Sequence, residues 1–328
     1  MKVVLGLSGG VDSAVSALLL RRAGCEVIGV YLDNGFPGAE AARESADALG
    51  IPFETVDIRG ALERFVCAPF AEGYLRGETP SPCVLCNPSV KFRQLLLAAD
   101  RVGAEYIATG HYARSENGHI FRGRNANDQS YMLCRLTQEQ VRRLILPLGS
   151  YEKAQVREIA AEHGLSAAQR PDSMEICFIP DRDYAAYIER RGITPPPGSF
   201  LLDGQVVGKH RGIHHYTLGQ RRRLGIALGE RVYVSGIDPD ANTVTLSRGD
   251  ELRVSRIRVR DIVWLHPPAE LPLHCDARIR HSRTLEKDAE LSADGILHFS
   301  TPVRAPTPGQ AAAFYSGEEL LGGGFIQF

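Results

Sequence analysis

The sequence predicts an α/β fold in which a parallel sheet with helices on both faces is followed by smaller β-rich modules. Through the first 190 residues, short apolar segments alternate with helical segments, a pattern typical of βαβ units. Three consecutive prolines, Pro195–Pro197, then form a stiff connector between two glycines. Beyond it, short β-type segments are separated by Gly, Pro and Asp-Asn clusters, which favours a sandwich or barrel.

Each element of the first half follows from local pattern. The first helix, for example, has Val11, Val15, Leu18 and Leu19 at helical spacing and ends at Gly24. The predicted strands are Lys2–Leu7, Glu26–Leu32, Phe53–Val56 and Glu105–Thr109. The predicted helices are Val11–Arg22, Ala39–Leu49, Ala61–Leu75, Val90–Val102, Tyr151–His163 and Asp181–Arg191. Ligands of such sheets bind beyond the carboxyl ends of the strands.

The second half is predicted to contain only short strands. They are Arg231–Ile237, Thr243–Ser247, Val254–Val263, Asp276–Ile279, Ile296–Phe299 and Gln310–Phe314. The proline connector and a break near Gly249–Glu251 divide the chain into three expected domains, 1–194, 195–250 and 251–328.

The charge balance is nearly neutral, with 38 Lys and Arg against 39 Asp and Glu in 328 residues. This excludes a uniformly basic nucleic-acid binder but says nothing about local surfaces. The segment Gln205–Arg231 contains six basic residues and a single acidic one, Glu230. Because it directly follows the connector, we expect it to contact an RNA backbone.

The cellular context is expected to be the cytoplasm. No apolar run approaches the ~20 residues of a membrane span, and the first residues lack a signal-peptide pattern. Seven cysteines, an odd number, indicate free thiols rather than a disulfide framework.

A glycine-rich loop, Ser8-Gly9-Gly10-Val11-Asp12-Ser13, follows the first strand and opens the first helix. Gly9 and Gly10 permit a tight turn and close approach of a ligand. The backbone N–H groups, the hydroxyls of Ser8 and Ser13 and the helix dipole together form an anion site. Asp12 would repel phosphate unless it holds a bridging Mg²⁺. The pattern matches neither GxxxxGK(S/T) nor GxGxxG, so another class of phosphate loop is expected.

Three cysteines stand in unusual contexts. Cys83 and Cys86 form a CxxC motif after two prolines, and Cys177 ends the run Arg170-Pro-Asp-Ser-Met-Glu-Ile-Cys177. We expect Cys86 to fall just before a helix start, where the dipole lowers the pKa of a thiol. The remaining four, Cys25, Cys67, Cys134 and Cys275, are expected to be core residues.

Taken in order, the motifs resemble those of the tRNA-specific 2-thiouridylases of the PP-loop ATP pyrophosphatase superfamily. They are SGGVDS, TPSPCVLCN, ATGHY, DQSYML, PDSMEICFIP, GIHHYTLGQRRRLGI and PGQAA. The resemblance covers most of residues 1–250. It implies a Rossmann-like PP-loop domain, a small central tRNA-contacting module and a C-terminal β-barrel. It also implies ATP-dependent 2-thiolation of the wobble uridine of tRNA, position 34, through adenylation of O2 and release of pyrophosphate.

The resemblance implies roles for individual residues. Cys177 would carry the persulfide sulfur and Cys86 would resolve the product. ATP would contact Gly6, Leu7, Ser8, Gly9, Gly10, Val11, Asp12, Ser13, Leu32 and Gly110, with Mg²⁺ at Asp12. The tRNA or its target base would contact Ser81, Pro82, Cys83, His111, Asn127, Asp128, Gln129, Arg280, His281 and Gln310. The partners would be the anticodon stem-loop and a persulfide donor or relay protein, and the enzyme would be a monomer.

Alternatives to the persulfide relay stay open. Many relatives have Asp at the position of Cys83, so here Cys83, Cys86 and Cys177 could instead hold a 4Fe–4S cluster with one open iron. A zinc site would lack an evident fourth ligand. A PP-loop ligase acting on a small molecule would leave these cysteines unused, and an RNA-binding module without ATP chemistry would leave the glycine-rich loop idle. Two departures from the relatives are a short crossing at Asn34–Gly38 and Asn127 in place of a lysine.

Overall fold

The structure, a computed structural model, describes residues 1–124, 126–171, 176–249, 252–282 and 284–327. The expected domain boundary at residues 250 and 251 and the middle of the PDSMEICFIP motif, residues 172–175, lie outside the described residues.

A five-stranded parallel sheet forms the centre of the first part of the chain. Its strands are β1 (Lys2–Gly6), β2 (Glu26–Asp33), β3 (Phe53–Asp57), β4 (Tyr106–Ala108) and β7 (Leu144–Ile145). The order is β3-β2-β1-β4-β7, and Leu5 of β1 lies opposite Gly29 on one side and Ala108 on the other. The order therefore reverses at β1, and the crevice between the carboxyl ends of β1 and β4 is where such sheets bind ligands.

Helices cover both faces of this sheet, as predicted. On one face α1 (Val11–Arg22), α2 (Ala39–Leu49) and α8 (Lys153–Glu162) share a buried core with Val3 and Leu5. On the other face α6 (Phe92–Val102) packs with Val4. Successive residues of a strand point to opposite faces, so this division follows from the alternation along β1. The short helix α7 (Gln138–Arg142) begins at a capping box formed by Thr137 and Gln140.

Two helical segments on the α6 side contain wider, π-type turns. The first comprises α3 (Arg59–Leu62), a π-type stretch Glu63–Cys67 and α4 (Ala68–Leu75). The second comprises α5 (Pro82–Cys86), a π-type stretch Asn87–Lys91 and then α6. The predicted helix start at Val90 is therefore wrong. The helix begins at Pro82 because proline is well suited to the first position of a helix, where its missing N–H costs nothing.

The central module is a four-stranded sheet reached through α9 (Tyr184–Arg190) and the proline connector. Its strands are β8 (Gly198–Leu202), β9 (Gln205–His210), β10 (Tyr233–Asp238) and β11 (Thr243–Ser247), in the order β10-β11-β8-β9. Phe200, Tyr216 and Val234 are among the buried residues of its core. Short 3₁₀ turns occur at Ile213–His215 in this module and at Ser130–Leu133 and Ser166–Gln169 before it.

The last part of the chain forms a closed six-stranded barrel, which confirms the predicted α/β fold with a final barrel. The strands are β12 (Arg253–Trp264), β13 (Leu273–Arg278), β14 (Glu286–Leu291), β15 (Ile296–Arg304), β16 (Ala311–Ser316) and β17 (Glu319–Gln327). Their order is β12-β15-β14-β13-β16-β17, and pairing of β12 with β17 closes the barrel. Strands β14 and β17 are not predicted from the sequence.

A hairpin from the first half of the chain extends the sheet of the barrel. Its strands β5 (Ala113–Glu116) and β6 (His119–Arg122) pair with each other, and β6 lies beside β17 with Phe121 opposite Glu319. Residues of β16 and β17 also share one buried core with α6 and β4. The parallel sheet and the barrel are therefore packed together directly. Among the described residues no helix is both long and apolar enough to cross a membrane.

Candidate functional site

The glycine-rich loop lies at the carboxyl end of β1. The hydroxyls of Ser8 and Ser13, 3.2 Å apart, connect its two ends. Ser13 Oγ donates to the carbonyl of Gly10 (3.0 Å) and accepts from the backbone N–H of Ser8 (3.2 Å). Gly9 has φ +80, which only glycine adopts without strain. Gly10 is the N-cap of α1 and no side chain caps that helix. The first turn of α1 thus presents backbone N–H groups suited to an anion.

The structure brings the predicted ATP residues to the ends of three adjacent strands. Gly6 ends β1, Leu32 lies near the end of β2, and Gly110 follows β4. Gly110 packs so closely on the loop that a Cβ there would lie 3.0 Å from the carbonyl carbon of Asp12. These residues therefore surround the crevice beside β1.

Asp12 forms an ion pair with Lys153, a residue that is not predicted from the sequence. Lys153 Nζ lies 2.7 and 2.8 Å from the two carboxylate oxygens of Asp12, and the hydroxyl of Tyr112 donates to Oδ1 (2.6 Å). A direct Mg²⁺ ligand role for Asp12 would require this ion pair to break. Lys153 therefore supplies a positive charge next to the anion site, and the Mg²⁺ role expected of Asp12 stays a prediction.

Arg170 fastens the segment that leads to Cys177 onto the glycine-rich loop. Its guanidinium donates to the carbonyls of Gly9 (2.5 Å) and Ala41 (3.1 Å) and pairs with Glu44. The loop and the Cys177 segment are therefore positioned by one shared side chain. The sequence signal for this role of Arg170 is its position directly before the PDSMEICFIP motif.

The three unusual cysteines lie at the start of the helix before α6 and on the segment that packs against it. Cys83 and Cys177 are exposed and Cys86 is half-buried. Ile176, Phe178 and Ile179, on either side of Cys177, belong to one apolar cluster with Cys86 and Leu32. Desolvation raises the pKa of both Cys83 and Cys86, Lys91 opposes this shift, and the charge of Cys177 adds to it.

The expected activation of Cys86 by a helix start is wrong. Cys86 is the last residue of α5, one turn into the helical segment, and desolvation by the surrounding protein raises its pKa to about 11. Lys91 opposes this shift with its charge and with its backbone N–H, which the π-type turn directs at the sulfur. The thiol is therefore protonated at neutral pH, and Lys91 is its nearby cation.

His111 is held as a neutral imidazole near Lys91. Its Nδ1 and the hydroxyl of Thr109 share a hydrogen bond of 2.7 Å, and its ring stacks on Phe92. Burial, and to a lesser extent Lys91, holds its pKa well below the usual value. A neutral ring offers hydrogen bonding to a base without adding charge.

The predicted triplet Asn127-Asp128-Gln129 divides between surface and interior. Asn127 is exposed. The Asp128 carboxylate, 7% exposed, pairs with the buried Arg278 of β13 (2.9 Å) and accepts from the backbone N–H groups of Gly123 and Ser130. Gln129 accepts from the backbone N–H of Tyr112 (3.0 Å). Asp128 is therefore an anchor between the first domain and the barrel.

The barrel residues predicted near tRNA meet the loop before Cys83. Gln310 Nε2 donates to the carbonyl of Thr79 (2.7 Å), whose hydroxyl lies 3.2 Å from that of Thr217. Ser81 and Pro82 are buried, and the Tyr131 hydroxyl contacts both Ser81 and the carbonyl of Ala311. Arg280 and His281 are exposed, and Arg280 lines a cleft of about 340 Å³ with Thr79, Thr217, Arg304 and Gln310. All three parts of the chain contribute to this cleft.

The basic segment of the central module forms a second cleft with the start of α9. Arg211, Arg221, Arg222 and Arg223 line it together with Asp181, Arg182, Asp183 and Tyr184, and its volume is about 760 Å³. Four of the six basic residues of the segment Gln205–Arg231 therefore lie on one concave surface.

Family models match three consecutive parts of the chain. A tRNA methyl transferase HUP domain matches residues 1–181, a tRNA methyl transferase PRC-barrel domain matches residues 188–248, and an aminomethyltransferase beta-barrel domain matches residues 254–326. These ranges correspond to the parallel sheet with its helices, the four-stranded sheet and the barrel.

Relatives align over nearly the whole chain. The tRNA-specific 2-thiouridylase MnmA of Pelotomaculum thermopropionicum is 43% identical over 354 residues, covering 99% of this chain and 97% of that protein. The enzyme of the same name from Carboxydothermus hydrogenoformans is 42% identical with the same coverage. The solved structure of the U34-tRNA thiolase NcsA from Methanococcus maripaludis, with its 4Fe–4S cluster, has 19% identity and a TM-score of 0.38, covering 58% of this chain and 66% of that one. A likeness this weak carries no conclusion about the present chain.

Proposed function

The chain belongs to the tRNA-specific 2-thiouridylase family, and on that premise we propose that it catalyses ATP-dependent 2-thiolation of the wobble uridine, position 34, of tRNA. One observation supports this most. The phosphate loop after β1 and the thiols of Cys86 and Cys177 lie along the same carboxyl edge of one sheet, joined through Arg170 and the apolar cluster around Leu32.

The phosphate loop supplies the activating half of the reaction. Uracil O2 is a poor leaving group, and its adenylation converts it into AMP, a good one, with release of pyrophosphate. The N–H groups of the first turn of α1 and the hydroxyls of Ser8 and Ser13 would bind the phosphates. Lys153 would neutralise phosphate charge, with Asp12 and Tyr112 holding its ammonium in place. Mg²⁺ would arrive with ATP, and Asp12 would bind it if its carboxylate moved from Lys153 to the ion.

The thiols supply the second half. The Cys177 persulfide attacks C2 of the adenylated uridine, and the bond from C2 to O2 breaks as AMP leaves. The Cys86 thiolate then attacks the Cys177 sulfur of the resulting C2–S–S–Cys177 link. This releases 2-thiouridine and leaves a Cys86–Cys177 disulfide, which an external thiol reductant returns to two thiols. Because the pKa of Cys86 is about 11, its proton must leave before this step, and Lys91 is placed to stabilise the thiolate.

The alternative is a 4Fe–4S cluster on Cys83, Cys86 and Cys177. Cys83 and Cys86 lie three residues apart on α5, and the neighbours of Cys177 share an apolar cluster with Cys86, so these three thiols would hold three of the four irons. When bound, such a cluster would supply an open iron that carries sulfide. A zinc site fits less well, since Zn–S bonds of about 2.3 Å bring thiolates to about 4 Å. Among the described residues, the metal-type side-chain groups within 4.8 Å of each other do not include these cysteines.

The tRNA would lie across the clefts formed by the three parts of the chain. The arginines of the central module, with Arg280 and Arg304, would contact phosphates, while His111 and the loop of Ser81, Pro82 and Cys83 would face the extruded uridine. We retain the domain limits 1–194, 195–250 and 251–328, a monomeric state, a cytoplasmic location and a persulfide donor as parts of this proposal.

The activity is tested with purified protein, unmodified tRNA, ATP and a persulfide donor. Nucleoside mass spectrometry should detect 2-thiouridine at position 34, with one AMP released for each. An Asp12→Ala variant should make neither. Absence of thiouridine with the wild-type protein, or an undiminished yield with Asp12→Ala, would overturn the proposal.

Replacing Gly9 with Ala is expected to weaken ATP binding at least about tenfold. At φ +80 the new Cβ costs about 1–2 kcal/mol in strain, and it would lie 2.8 Å from backbone atoms of Ala41 and Ala42, so the loop must move. Gly24→Ala is the matched control, because Gly24 has φ +79 but nothing within 4 Å of the added Cβ. Calorimetric ATP titration should separate the two variants, and equal ATP affinity in both would contradict the assignment of the loop.

Lys153→Met is expected to weaken ATP binding about 10–100-fold, since it removes a charge-assisted contact and leaves the Asp12 carboxylate to repel phosphate. Lys287→Met removes a similar ion pair, with Asp276 in the barrel, and should leave ATP affinity unchanged. The same titration measures both. Wild-type affinity in Lys153→Met would contradict any role of the lysine in ATP binding.

A further inference from the structure

Glu189, His214 and His215 converge where α9 contacts the central module. The Nε2 atoms of the two histidines lie 3.0 and 3.2 Å from the same carboxylate oxygen, Oε1 of Glu189. The imidazole rings are 4.1 Å apart between centroids and inclined at 41°. The His214 side chain is fully buried and that of His215 is 11% exposed.

The backbone around the two histidines is built to direct both rings at Glu189. Neighbouring residues of an extended chain point to opposite sides, but the 3₁₀ turn Ile213–His215 turns both to one side. Gly212, at φ +126, sets the entry to this turn and donates its N–H to His210 Nδ1 (3.1 Å). The Tyr184 hydroxyl donates to the carbonyl of His215 (3.2 Å). The turn is thus held at its start and at its end.

We propose that Glu189, His214 and His215 bind a divalent transition metal ion, Zn²⁺ or an ion of similar preference. Two imidazole nitrogens and one carboxylate oxygen are a ligand set that Zn²⁺ takes in sites with an open position. Ligands at about 2.0–2.1 Å from zinc lie a little over 3 Å from each other, close to the separations in the structure.

The open position faces the cleft of the central module. His215 lines that cleft together with Arg211 and Arg221–Arg223, so water or an anionic group could complete the coordination. The ion would join α9, before the proline connector, to the central module after it. It would thereby fix the relative positions of the two walls of the basic cleft.

A second group of possible ligands, His119, His266 and Glu319, is less suitable. The two rings are stacked nearly parallel, 3.9 Å apart and inclined at 13°, so their in-plane lone pairs cannot both point at one ion. His266 Nε2 is already engaged by an atom outside the group, the carbonyl oxygen of Gly118. This group serves as a control.

The test uses the full chain with Cys83, Cys86 and Cys177 replaced by Ser, so that thiols do not compete for metal. After removal of metal with a chelator, Zn²⁺ is titrated in competition with a chromogenic chelator. We expect one tight equivalent, weakened at least about 10–100-fold by Glu189→Gln and by His215→Asn, and unchanged by His266→Asn. Far-ultraviolet circular dichroism of each metal-free variant establishes that it is folded. Bound Co²⁺ should give visible bands without thiolate charge transfer.

Zn²⁺ should also raise the melting temperature of the background protein but not that of Glu189→Gln. The proposal is overturned if the background protein binds no stoichiometric metal, or if folded Glu189→Gln and His215→Asn keep its affinity. Loss of the equivalent in His266→Asn would place the ion at the other group and would also overturn it.

Discussion

Cys177→Ser is expected to abolish thiouridine formation, by a factor on the order of 10³ or more, because a hydroxyl cannot carry the persulfide sulfur. Cys86→Ser should stop the reaction one step later. The persulfide would still attack the adenylated base, but nothing would release it, so tRNA would remain linked to Cys177 through a disulfide. Gel electrophoresis without reductant should show this covalent product, and a thiol should release it as thiolated tRNA.

Cys83→Ser separates the relay from the cluster. In the relay Cys83 forms no bond, and the variant should keep its rate within about tenfold of wild type. With a cluster, loss of one ligand removes the sulfide carrier and activity falls as far as in Cys177→Ser. Cys25→Ser, a half-buried cysteine at the far end of α1, is the control. A covalent tRNA product that forms with Cys177→Ser as readily as with Cys86→Ser would disprove the assigned roles.

Asp128→Ala is expected to lower the free energy of unfolding by about 3–5 kcal/mol. The Arg278 side chain is 2% exposed, and without Asp128 its charge would remain buried and uncompensated. The backbone N–H groups of Gly123 and Ser130, which donate hydrogen bonds to the Asp128 carboxylate, would lose this acceptor as well. Urea unfolding followed by circular dichroism measures the change.

Two further variants test this explanation. Arg278→Met combined with Asp128→Asn should cost less than the sum of the single substitutions, since no charge is then left unpaired. Arg248, whose side chain is half exposed, bridges Asp203 and Glu230 at the surface. Arg248→Met should lower the free energy of unfolding by less than about 1 kcal/mol. Equal costs for Asp128→Ala and Arg248→Met would show that the burial of the pair is energetically irrelevant.

The parallel sheet and the phosphate loop could be predicted because their signals are local. Glycines at the loop, the short apolar run of β1 and the left-handed Gly50 that ends α2 each act within a few residues. Lys153 could not be predicted in the same way, since it is separated from Asp12 by 141 residues and stands in an ordinary helix start. The Arg-rich composition offered a faint signal, because Lys153 is one of only five lysines in the chain.

The environment of Cys86 shows a different limit. The sequence predicts Cys86 just before a helix start, whereas Pro82 is the first residue of a helix and places Cys86 inside it. The thiol pKa then depends on desolvation by side chains from distant segments, which a dipole argument based on local sequence does not include. The same applies to Asp128, whose burial is decided by Arg278 of the barrel.

The pairing of β6 with β17 has a consequence for biosynthesis. Two side-chain contacts stabilise this pairing: Arg114 with Glu318, 204 positions apart in the chain, and His119 with Glu319, 200 positions apart. At about 5–20 residues per second, the ribosome completes the hairpin about 10–40 s before its partner strand emerges. During that interval the nascent chain has an unpaired strand edge at β6. The polar residues His119 and Arg122, on either side of Ile120 and Phe121, disfavour pairing of this edge with other chains. The time for which this strand edge stays unpaired, and with it the risk of aggregation, therefore depends on how quickly β17 is synthesised.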